Sequence, residues 1–295
     1  MRIVVFGAGS LGSLVGGLLS TVADVTLVGR APHVEAVREH GLRITGAVDR
    51  TVHPDARTTL PGSADLAIVT VKSYDTDGAA SQLADRDLDA VLSLQNGLGN
   101  EDVLADHLPC EVLAGTCTYG ARFRDPGHVE CTGLGTVELG PREGGESARA
   151  DRVGELFDDA GFETTVATDM PRRLWRKLAV NAGINPTTAL ARVPNGELVD
   201  GPAGETARLA AREVGRVATD NGVELAPDDA VRAMVDVAAR TAANRSSMLQ
   251  DVEANRRTEI DAISGAVVDR AVEPAPVNRV LTSLVRAWER ERSHR

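Results

Sequence analysis

Lysine is almost absent from this chain of 295 residues. It occurs only at Lys72 and Lys177, so thirty of the 32 basic residues are arginine. Asp and Glu together number 43, which gives a formal net charge of −11. A chain with this charge and no basic stripe is a poor binder of nucleic acid or of anionic membranes. We therefore expect no nucleic acid and no membrane among its partners.

Cysteine and long apolar runs are also scarce. Cys110, Cys117 and Cys131 form no CxxC pair and have no histidine at ligand spacing, so we expect neither a disulfide framework nor a metal site. The three thiols are predicted to pack as small buried or half-buried side chains. The best apolar run, Leu66 to Val71, has six positions, against the roughly 20 that span a bilayer. With a strand and glycine turn at the N-terminus instead of a signal peptide, we expect a cytoplasmic globular protein.

Short apolar runs alternate with helical stretches in the first part of the chain. The predicted strands are rich in β-branched residues and bounded by Gly, Asp or Asn; they are Ile3–Phe6, Val25–Val28, Leu66–Val71 and Ala90–Leu94. The helical stretches between them are Ser10–Ser20, Pro32–His40 and Tyr74–Ala84. This alternation predicts an α/β fold with a parallel, doubly wound sheet of the Rossmann type.

The pattern changes twice further along the chain. Gly-rich and Thr-rich segments predict antiparallel strands added to the same domain, at Val112–Tyr119, His128–Cys131 and Thr136–Leu139. Another helix and a short strand follow, at Asp151–Ala160 and Glu163–Val166. Beyond them the strand pattern disappears, and helices split by Pro and Gly are predicted at Met170–Ala182, Ala203–Asn221, Asp228–Asn244, Ser247–Asn255, Glu259–Ala271 and Pro276–Arg292. We therefore predict a dinucleotide-binding domain over 1–168 and an all-α C-terminal domain over 169–295.

A GxGxxG motif follows the first predicted strand and opens the first helix, as Gly7, Ala8, Gly9, Ser10, Leu11 and Gly12. The first glycine permits a tight turn, the second lets the backbone approach a pyrophosphate, and the third allows close packing of helix on strand. The N–H groups of the following helix are then available to the anion. The pattern alone also fits a plain glycine turn, but its position between strand and helix favours nucleotide binding.

The end of the second predicted strand indicates which dinucleotide binds. An acid at this place would hold the ribose hydroxyls of NAD. The turn instead reads Val28-Gly29-Arg30-Ala31-Pro32, and Arg30 can pair with a 2′-phosphate. We therefore expect NADPH (NADP+) as cofactor, with a solvated surface arginine as the alternative.

One lysine belongs to a polar stripe near the start of the predicted helical domain. Lys177, Asn181 and Asn185 are four residues apart, so on a helix they share one face. The residues between them are largely apolar, which indicates that the stripe faces a cleft. Pro186 biases Asn185 toward extended geometry, and we expect the helix to end there. A surface lysine whose stem lies along apolar groups is the alternative.

Lysine can give up a proton when it is desolvated, whereas arginine effectively cannot. A reductase that delivers hydride to a ketone needs a proton donor at the developing alkoxide. We expect Lys177 to be that acid, because the histidines fall in predicted loops or helices away from these motifs: His33, His40, His53, His107, His128 and His294.

Four further residues have weaker support from position alone. Lys72 follows a predicted strand, where ligands bind in open α/β sheets, and Asn96 follows the next strand on the same rim. Asn96 is equally well explained as a turn former before a glycine. Ser247 could cap a helix, and Glu259 could lie on a solvated face.

Together these segments resemble the ketopantoate reductase family (2-dehydropantoate 2-reductases) over nearly the whole chain. The lysine helix and the final pair of motifs are specific, whereas the glycine loop alone is not. The segments are GAGSLG at 7–12, VKSYDT at 71–76, LQNGLGN at 94–100, WRKLAVNAGINPTTAL at 175–190, PNGEL at 194–198, NRSSMLQD at 244–251 and TEID at 258–261.

The resemblance implies an NADP-dependent oxidoreductase that reduces 2-dehydropantoate to (R)-pantoate, on the route to pantothenate and coenzyme A. By motif, Lys177 matches the general acid, and Glu259 matches the carboxylate beside that lysine and the substrate. Lys72 and Asn96 match residues on the rim of the cofactor domain. The positions that match substrate-holding residues, to which we add Asn96, are Asn181, Asn185, Asn195, Asn244 and Ser247.

Two other functions stay open at this point. One is a related NADP-dependent 2-hydroxy-acid or β-hydroxy-acid dehydrogenase that acts on another small oxo acid. The other is a non-catalytic NADPH sensor, which would leave Lys177 and Glu259 without a purpose. The sequence does not determine the oligomeric state, so a homodimer also stays open.

Overall fold

The computed structural model describes residues 1–293, and the chain forms two compact units. The first comprises residues 1–95 and 100–170. The second comprises Asn96–Gly99 and the chain from Pro171 onward. The division lies close to the predicted boundary near Thr168, but it assigns the short segment Asn96–Gly99 to the helical unit.

The strands belong to the first unit and form two sheets. In chain order they are β1 (Arg2–Phe6), β2 (Asp24–Val28), β3 (Leu42–Gly46), β4 (Arg50–Val52), β5 (Asp55–Arg57), β6 (Ser63–Val69), β7 (Asp87–Ser93), β8 (Glu111–Cys117), β9 (Gly120–Asp125), β10 (His128–Gly133), β11 (Thr136–Pro141) and β12 (Glu163–Val166). The larger sheet has the order β12-β11-β8-β7-β6-β1-β2-β5.

The larger sheet is parallel from β5 across to β8, and β11 pairs antiparallel to β8. In the register of its centre, Val4 lies beside Thr26 on one side and Ala67 on the other. The predicted fold class, a doubly wound sheet followed by a helical region, is confirmed. The predicted strand Leu66–Val71 is shifted, because the strand begins at Ser63 and ends at Val69.

Helices cover both faces of the larger sheet. One apolar cluster lies under the helices that follow β6 and β7, and the other lies under the helix that follows β1. The helices are α1 (Ser10–Leu19), α2 (Ala31–His40), α3 (Thr76–Ala84), α4 (Asn100–His107) and α5 (Ala148–Asp159), with a 3₁₀ turn at Ser73–Asp75. The helix α4 is absent from the prediction because its short apolar pattern, with charged residues in most turns, has little periodicity.

A second sheet was not predicted. Its four strands have the order β4-β3-β10-β9, with β3 parallel to β10. The helix α1 packs against both sheets through two glycines. A Cβ at Gly16 would clash with Leu27 of the larger sheet, and a Cβ at Gly17 would lie 2.8 Å from Leu42 Cδ2 of the smaller one. The segment His128–Cys131 is therefore a strand of the same domain, as predicted, and within the second sheet it pairs antiparallel with β9 and parallel with β3.

Helices account for the regular structure of the second unit. They are α6 (Met170–Ala191, which begins one residue before the unit), α7 (Glu197–Asp200), α8 (Ala203–Asp220), α9 (Pro227–Arg240), α10 (Ser247–Glu253), α11 (Ala266–Arg270) and α12 (Pro276–Ser293). A π-helical turn at Asp261–Gly265 precedes α11. The predicted helix Glu259–Ala271 is thus only partly formed, and Glu259 lies outside it.

The helix α6 continues through Pro186 to Ala191, so the prediction that it ends at Asn185 is wrong. A proline in a helix interior removes a hydrogen bond and costs about 3 kcal/mol. The surrounding turns are buried, with Ala182 fully inaccessible and Ile184 3% exposed. Burial of this apolar surface stabilises a helical geometry that the local sequence disfavours.

The three cysteines differ in burial. Cys131 is buried, and Cys110 and Cys117 are half-buried, as predicted. Burial raises the pKa of the Cys110 and Cys131 thiols, which makes them poor nucleophiles. Between residues 1 and 293, no helix is both long and apolar enough to cross a membrane.

Candidate active site

The glycine motif forms a tight turn at the carboxyl end of β1. The backbone N–H groups of Gly7 and Ala8 both donate to the carbonyl oxygen of Val28, at 3.1 and 2.9 Å. Thr70 Oγ1 donates to the Gly7 carbonyl oxygen at 2.9 Å. Gly7 has φ +108°, and a Cβ there would lie 2.6 Å from the backbone nitrogen of Val71. Only glycine fits this position without displacing the neighbouring backbone.

The other two glycines of the motif have different surroundings. A Cβ at Gly12 would clash with the Gly7 carbonyl and lie 2.5 Å from Thr70 Oγ1, whereas a Cβ at Gly9 would meet nothing nearer than 3.8 Å. Gly9 is the N-cap of α1, and no side chain caps this end of the helix. The open space at Gly9 and the uncapped N–H groups fit a pyrophosphate, which helix N-termini stabilise.

The side chains within the motif face the protein. Ser10 Oγ accepts a hydrogen bond from the backbone N–H of Phe123 at 3.1 Å. Ala8 is buried and Leu11 packs against the core of the first unit. The motif therefore offers backbone groups, and not side chains, to a ligand.

Arg30 follows β2 as the N-cap of α2, and its side chain is exposed. Within residues 1–293 it makes no ion pair, so its guanidinium group is available to an anion. A second arginine lies near this point, because β5 pairs with β2 and places Arg57 opposite Val28. Arg57 donates from Nε to Asp55 at 2.6 Å. Sequence reasoning missed Arg57, since the three-residue strand β5 has no apolar pattern.

Lys72 is half-buried and opens the 3₁₀ turn after β6. Its loop is held by Gln95, whose Nε2 donates to the Val71 carbonyl at 3.0 Å and to Thr76 Oγ1 at 2.7 Å. Gln95 is 4% exposed, and its Oε1 has no hydrogen-bond partner in the part of the chain that the structure describes. Gln95 was not predicted, although it directly precedes Asn96 in the LQNG motif.

In the second unit, Lys177, Asn181 and Asn185 occupy successive turns of one face of α6, as predicted. Lys177 and Asn181 are half-buried, and Asn185 is 5% exposed. The Nδ2 of Asn181 is buried without a hydrogen-bond partner among the described residues. Because a buried donor without a partner is unfavourable, this amide is suited to an acceptor from a bound ligand.

Ser247 joins this polar stripe from another helix. Asn185 Nδ2 donates to Ser247 Oγ at 3.4 Å, and Ser247 is exposed at the first turn of α10. The helix is capped by Ser246, whose Oγ accepts from the Leu249 N–H at 3.1 Å. Capping is thus the role of Ser246, and the hydroxyl of Ser247 lies beside the amide of Asn185.

Asn195 and Asn244 are joined through the backbone. The N–H of Asn195 donates to the Asn244 carbonyl at 2.9 Å. Asn195 is 6% exposed, and its Nδ2 donates to Thr241 Oγ1 at 2.9 Å. Its Oδ1 is buried without a hydrogen-bond partner among residues 1–293. Asn244 itself is exposed.

Glu259 and Asn96 also lie together. Asn96 Nδ2 donates to Glu259 Oε2 at 3.4 Å, and Glu259 is 6% exposed. The Leu98 N–H donates to the Ala262 carbonyl at 3.1 Å, which fixes the Asn96 segment within the second unit. Gly97 has φ +88°, so the turn expected after Asn96 is present as well. A solvated Glu259 is ruled out by its burial.

Three pairs of predicted residues are therefore in contact, and Lys177 shares a helix face with two amides. The glycine turn, Arg30 and Lys72 belong to the first unit. The described part of the second unit contains no histidine, and His294 lies outside the described residues. The polar stripe thus contains one ionisable side chain, that of Lys177, beside the neutral groups of Asn181, Asn185 and Ser247.

Known proteins match the chain over its full length. The family profile "Ketopantoate reductase PanE/ApbA" matches residues 3–144, and "Ketopantoate reductase PanE/ApbA C terminal" matches 169–289. A 2-dehydropantoate 2-reductase of Halobacterium salinarum is 46% identical, with 99% of this chain and 100% of the relative covered. That of Archaeoglobus fulgidus is 43% identical, with 98% of each covered.

Solved structures agree with these sequence matches. A PanE/ApbA family ketopantoate reductase from Ralstonia eutropha has a TM-score of 0.91 and 33% identity, with 100% of both chains covered. A D-mandelate dehydrogenase solved with NADH and anilino(oxo)acetate has a TM-score of 0.92 and 26% identity, with 99% of both covered. Membership of this family and the likeness to a dehydrogenase solved with NADH indicate a nicotinamide cofactor for this chain. By sequence and by fold, this chain belongs to the ketopantoate reductase family.

Proposed function

We propose that this chain reduces 2-dehydropantoate to (R)-pantoate with NADPH, and that Lys177 is the general acid. The observation that carries the proposal is the polar stripe of Lys177, Asn181 and Asn185, with Ser247 hydrogen-bonded to its far end. A stripe of one amine and three neutral polar groups suits a small acid that carries a keto group and a hydroxyl. Family membership supports the same reaction.

The residues that would hold the cofactor are mainly those of the first unit. The uncapped start of α1 and the open space at Gly9 suit its pyrophosphate. Arg30 is exposed, is without an ion pair in the described chain and has no acid in its turn, which favours a 2′-phosphate and hence NADPH over NADH. Lys72 and Asn96 complete the proposed set. When bound, NADPH supplies the hydride.

The substrate-holding groups are neutral amides and a hydroxyl. Asn181 has a buried Nδ2 without a partner in residues 1–293, so it can donate to a substrate oxygen without breaking an existing bond. Asn185 and Ser247 orient each other, and the buried Asn195, with the neighbouring Asn244, adds further polar atoms. Groups fixed in this way supply much of the acceleration by positioning the keto carbon.

In this proposal, Lys177 supplies the proton that the substrate oxygen gains. As the keto carbon gains hydride, its oxygen becomes an alkoxide, and the Lys177 ammonium donates the proton that converts it to a hydroxyl. The lysine is left as a neutral amine, which solvent water reprotonates. The buried Glu259 carboxylate favours the ammonium form of a nearby lysine before the reaction. Proton donation of this kind contributes roughly 10²- to 10⁴-fold to the rate.

The same proposal assigns the chain to the route from 2-oxo acids to pantothenate and coenzyme A, in the cytoplasm. The sequence leaves a homodimer open. Light scattering of the purified protein measures its mass against the 31.0 kDa of one chain.

A second candidate is a 2-hydroxy-acid dehydrogenase with another substrate. The similarity to a D-mandelate dehydrogenase favours it, because that neighbour covers 99% of this chain. That neighbour was solved with NADH, whereas the exposed Arg30 favours NADPH here. The identity of 46% to a 2-dehydropantoate 2-reductase exceeds the 26% to the mandelate enzyme, so ketopantoate is the better-supported substrate.

The test is a panel of oxo acids assayed by cofactor absorbance with both NADPH and NADH. The panel contains ketopantoate, pyruvate, 2-oxoisovalerate and phenylglyoxylate. We expect the highest kcat/KM for ketopantoate with NADPH. A preference for phenylglyoxylate would favour the second candidate. Binding of NADPH without oxidation by any acid would instead indicate a sensor.

A further inference from the structure

The helix α12 contacts the chain on both sides of Glu259. Glu289 Oε1 accepts hydrogen bonds from the backbone N–H and from Oγ1 of Thr258, both at 2.7 Å. One turn earlier on α12, Arg286 Nε donates to Asp261 Oδ1 at 2.7 Å. The TEID segment is thus attached to α12 at its first and last residues.

The backbone between these attachments is hydrogen-bonded as well. The Ile260 N–H donates to Thr258 Oγ1 at 3.3 Å, and the Ile263 N–H donates to the Glu259 carbonyl at 3.1 Å. The side chain of Ile260 is fully buried. Both neighbours of Glu259 are therefore held: the Thr258 N–H donates to Glu289, and the Ile260 N–H donates to Thr258. These bonds fix the backbone position from which the Glu259 carboxylate extends.

The segment needs such attachment because it lacks regular structure. Residues 256–258 lie in neither helix nor strand, and the π-helical turn Asp261–Gly265 begins two residues after Glu259. The bond from the Gly265 N–H to the Ile260 carbonyl, at 2.9 Å, closes this turn. Turns of the π type are often found at functional sites.

The two attachments differ in strength. Arg286 and Asp261 are about half exposed, at 56% and 47% of their side chains, so solvent screens their attraction. Glu289 accepts two short hydrogen bonds on one carboxylate oxygen, Thr258 is 2% exposed, and bonds to an ionised acceptor are roughly twice as strong as neutral ones. The attachment through Glu289 is therefore the one that determines the position of the segment.

We propose that Glu289 is a positioning residue for the reaction, which acts through Thr258 to hold the Glu259 carboxylate in place. The inference rests on the proposed function, in which Glu259 lies beside Lys177 and the substrate. Without the two bonds to Thr258, the backbone at Glu259 loses its anchor and the carboxylate shifts. A displacement of about 1 Å in such a site can cost on the order of 100-fold in rate.

The test compares two substitutions at one position. Glu289→Ala removes the acceptor, and we expect kcat/KM for ketopantoate to fall about 10- to 100-fold. Glu289→Gln keeps a carbonyl oxygen for both bonds and should retain activity within a few-fold of wild type. Arg290→Ala, an exposed neighbour on the same helix, and Arg286→Ala serve as controls and should change kcat/KM little. Equal activity of Glu289→Ala and the controls would overturn the proposal.

A double-mutant comparison separates positioning from a general loss of structure. In a Glu259→Ala background, Glu289→Ala should lower kcat/KM no further, because there is no carboxylate left to position. A further loss of the same size would show that Glu289 acts independently of Glu259, and this would contradict the proposal. If Glu289→Ala does not fold, Thr258→Val against Thr258→Ser makes the same comparison, since only serine keeps the hydroxyl.

Failure of this inference is distinguishable from failure of the proposed function. If wild type does not reduce ketopantoate, or if Glu259→Ala is fully active, the role of Glu259 is wrong and the inference falls with it. If Glu259→Ala is impaired but Glu289→Ala is not, only the positioning role of Glu289 is wrong.

Discussion

The glycine turn of the first unit and the polar face of α6 in the second are built in opposite ways. At the turn, the proposed cofactor site depends on the absence of side chains, because a Cβ at Gly7 or Gly12 would collide with backbone or with Thr70. On α6, the proposed catalysis depends on side chains that are present, since Lys177, Asn181 and Asn185 supply the polar atoms. Substitutions that add volume should therefore damage the glycine turn, and substitutions that remove polar atoms should damage the face of α6.

The two regions also differ in how their polar groups are satisfied. The backbone groups of the glycine turn are held by Val28 at the end of β2 and by Thr70 just after β6, the two strands that pair with β1. The face of α6 takes its partner from a helix 62 residues away, through the bond of Asn185 to Ser247. Thr70 is itself 63 residues from Gly7, so the first arrangement depends on the pairing of parallel strands, whereas the second depends on the folded helical unit. Substitutions in each region should therefore fail for different reasons.

The largest effect is expected on the side-chain region, at Lys177. Lys177→Ala should lower kcat about 10²- to 10⁴-fold, because no other proton donor of the polar stripe replaces the ammonium group. Lys177→Arg should stay low too, since a guanidinium group does not release its proton near neutral pH. Arg176→Ala, the exposed neighbour on α6, is the matched control for both. Near-normal turnover of Lys177→Ala would remove the lysine from its proposed role.

Gly9→Ala and Gly12→Ala test whether the backbone region responds to volume. Gly12→Ala should destabilise the protein by about 1–3 kcal/mol, because its methyl group enters a packed contact with Gly7 and Thr70. Gly9→Ala meets nothing within 3.8 Å in the protein, so it should fold normally and lose affinity for NADPH. Thermal unfolding and calorimetric titration with NADPH separate the two outcomes. Unchanged NADPH affinity in Gly9→Ala would contradict a pyrophosphate at this turn.

Arg30→Ala tests whether a side chain of the first unit also contributes to cofactor binding. The loss of a hydrogen bond to a charged group costs about 1.5–3 kcal/mol, which predicts a Kd for NADPH about 10- to 100-fold higher. The Kd for NADH should change little, so NADH serves as the control on the same variant. An equal rise for both cofactors would mean that Arg30 does not contact the 2′-phosphate.

The smallest effect concerns the packing behind the glycine turn. His33 is 4% exposed, its Nδ1 accepts from the Gly127 N–H, and its Nε2 lies 3.0 Å from Ser13 Oγ. Burial lowers the pKa of His33. The folded protein therefore favours the neutral ring. This contribution to the free energy of unfolding is fully present above about pH 6.5, and it should be lost as the pH falls from there through the lowered pKa.

The measurement is the free energy of unfolding by denaturant between pH 5 and 8. We expect it to change by about 1 kcal/mol, the contribution of one buried hydrogen bond. His33→Gln should remove this part of the pH dependence. His40→Gln, an exposed position on the same helix, should keep it. Identical pH dependence in wild type and His33→Gln would show that His33 is not responsible.

The parts of the structure that could be predicted are those with a strong local pattern. The β1 strand, the glycine turn and the stripe on α6 follow from periodicity and spacing over at most a dozen residues. The second sheet could not be predicted, because the three-residue strand Arg50–Val52 is defined by pairing with β3 and not by its own sequence. The course of α6 through Pro186 was missed for a similar reason: burial of the helix outweighs the local preference.

Within the site, the residue types were predictable but most contacts were not. Lysine and asparagine at intervals of four identify a helix face, yet nothing local pairs Asn185 with Ser247 or Asn96 with Glu259. The assignment of Asn96 to the helical unit depends on the bond from Leu98 to Ala262, 164 residues further along the chain. Glu289 escapes detection altogether, since one acid on a charged C-terminal helix resembles its neighbours.

The glycine pair of α1 limits how this protein can be made more heat-resistant. Replacing helix glycines with alanine commonly stabilises proteins by reducing the freedom of the unfolded chain. Alanine at Gly16 or Gly17 would instead destabilise the protein, because each methyl group would push α1 away from one of the two sheets. Stabilising substitutions in the first unit therefore have to lie at other positions, and Gly16 and Gly17 keep the distance between α1 and the two sheets.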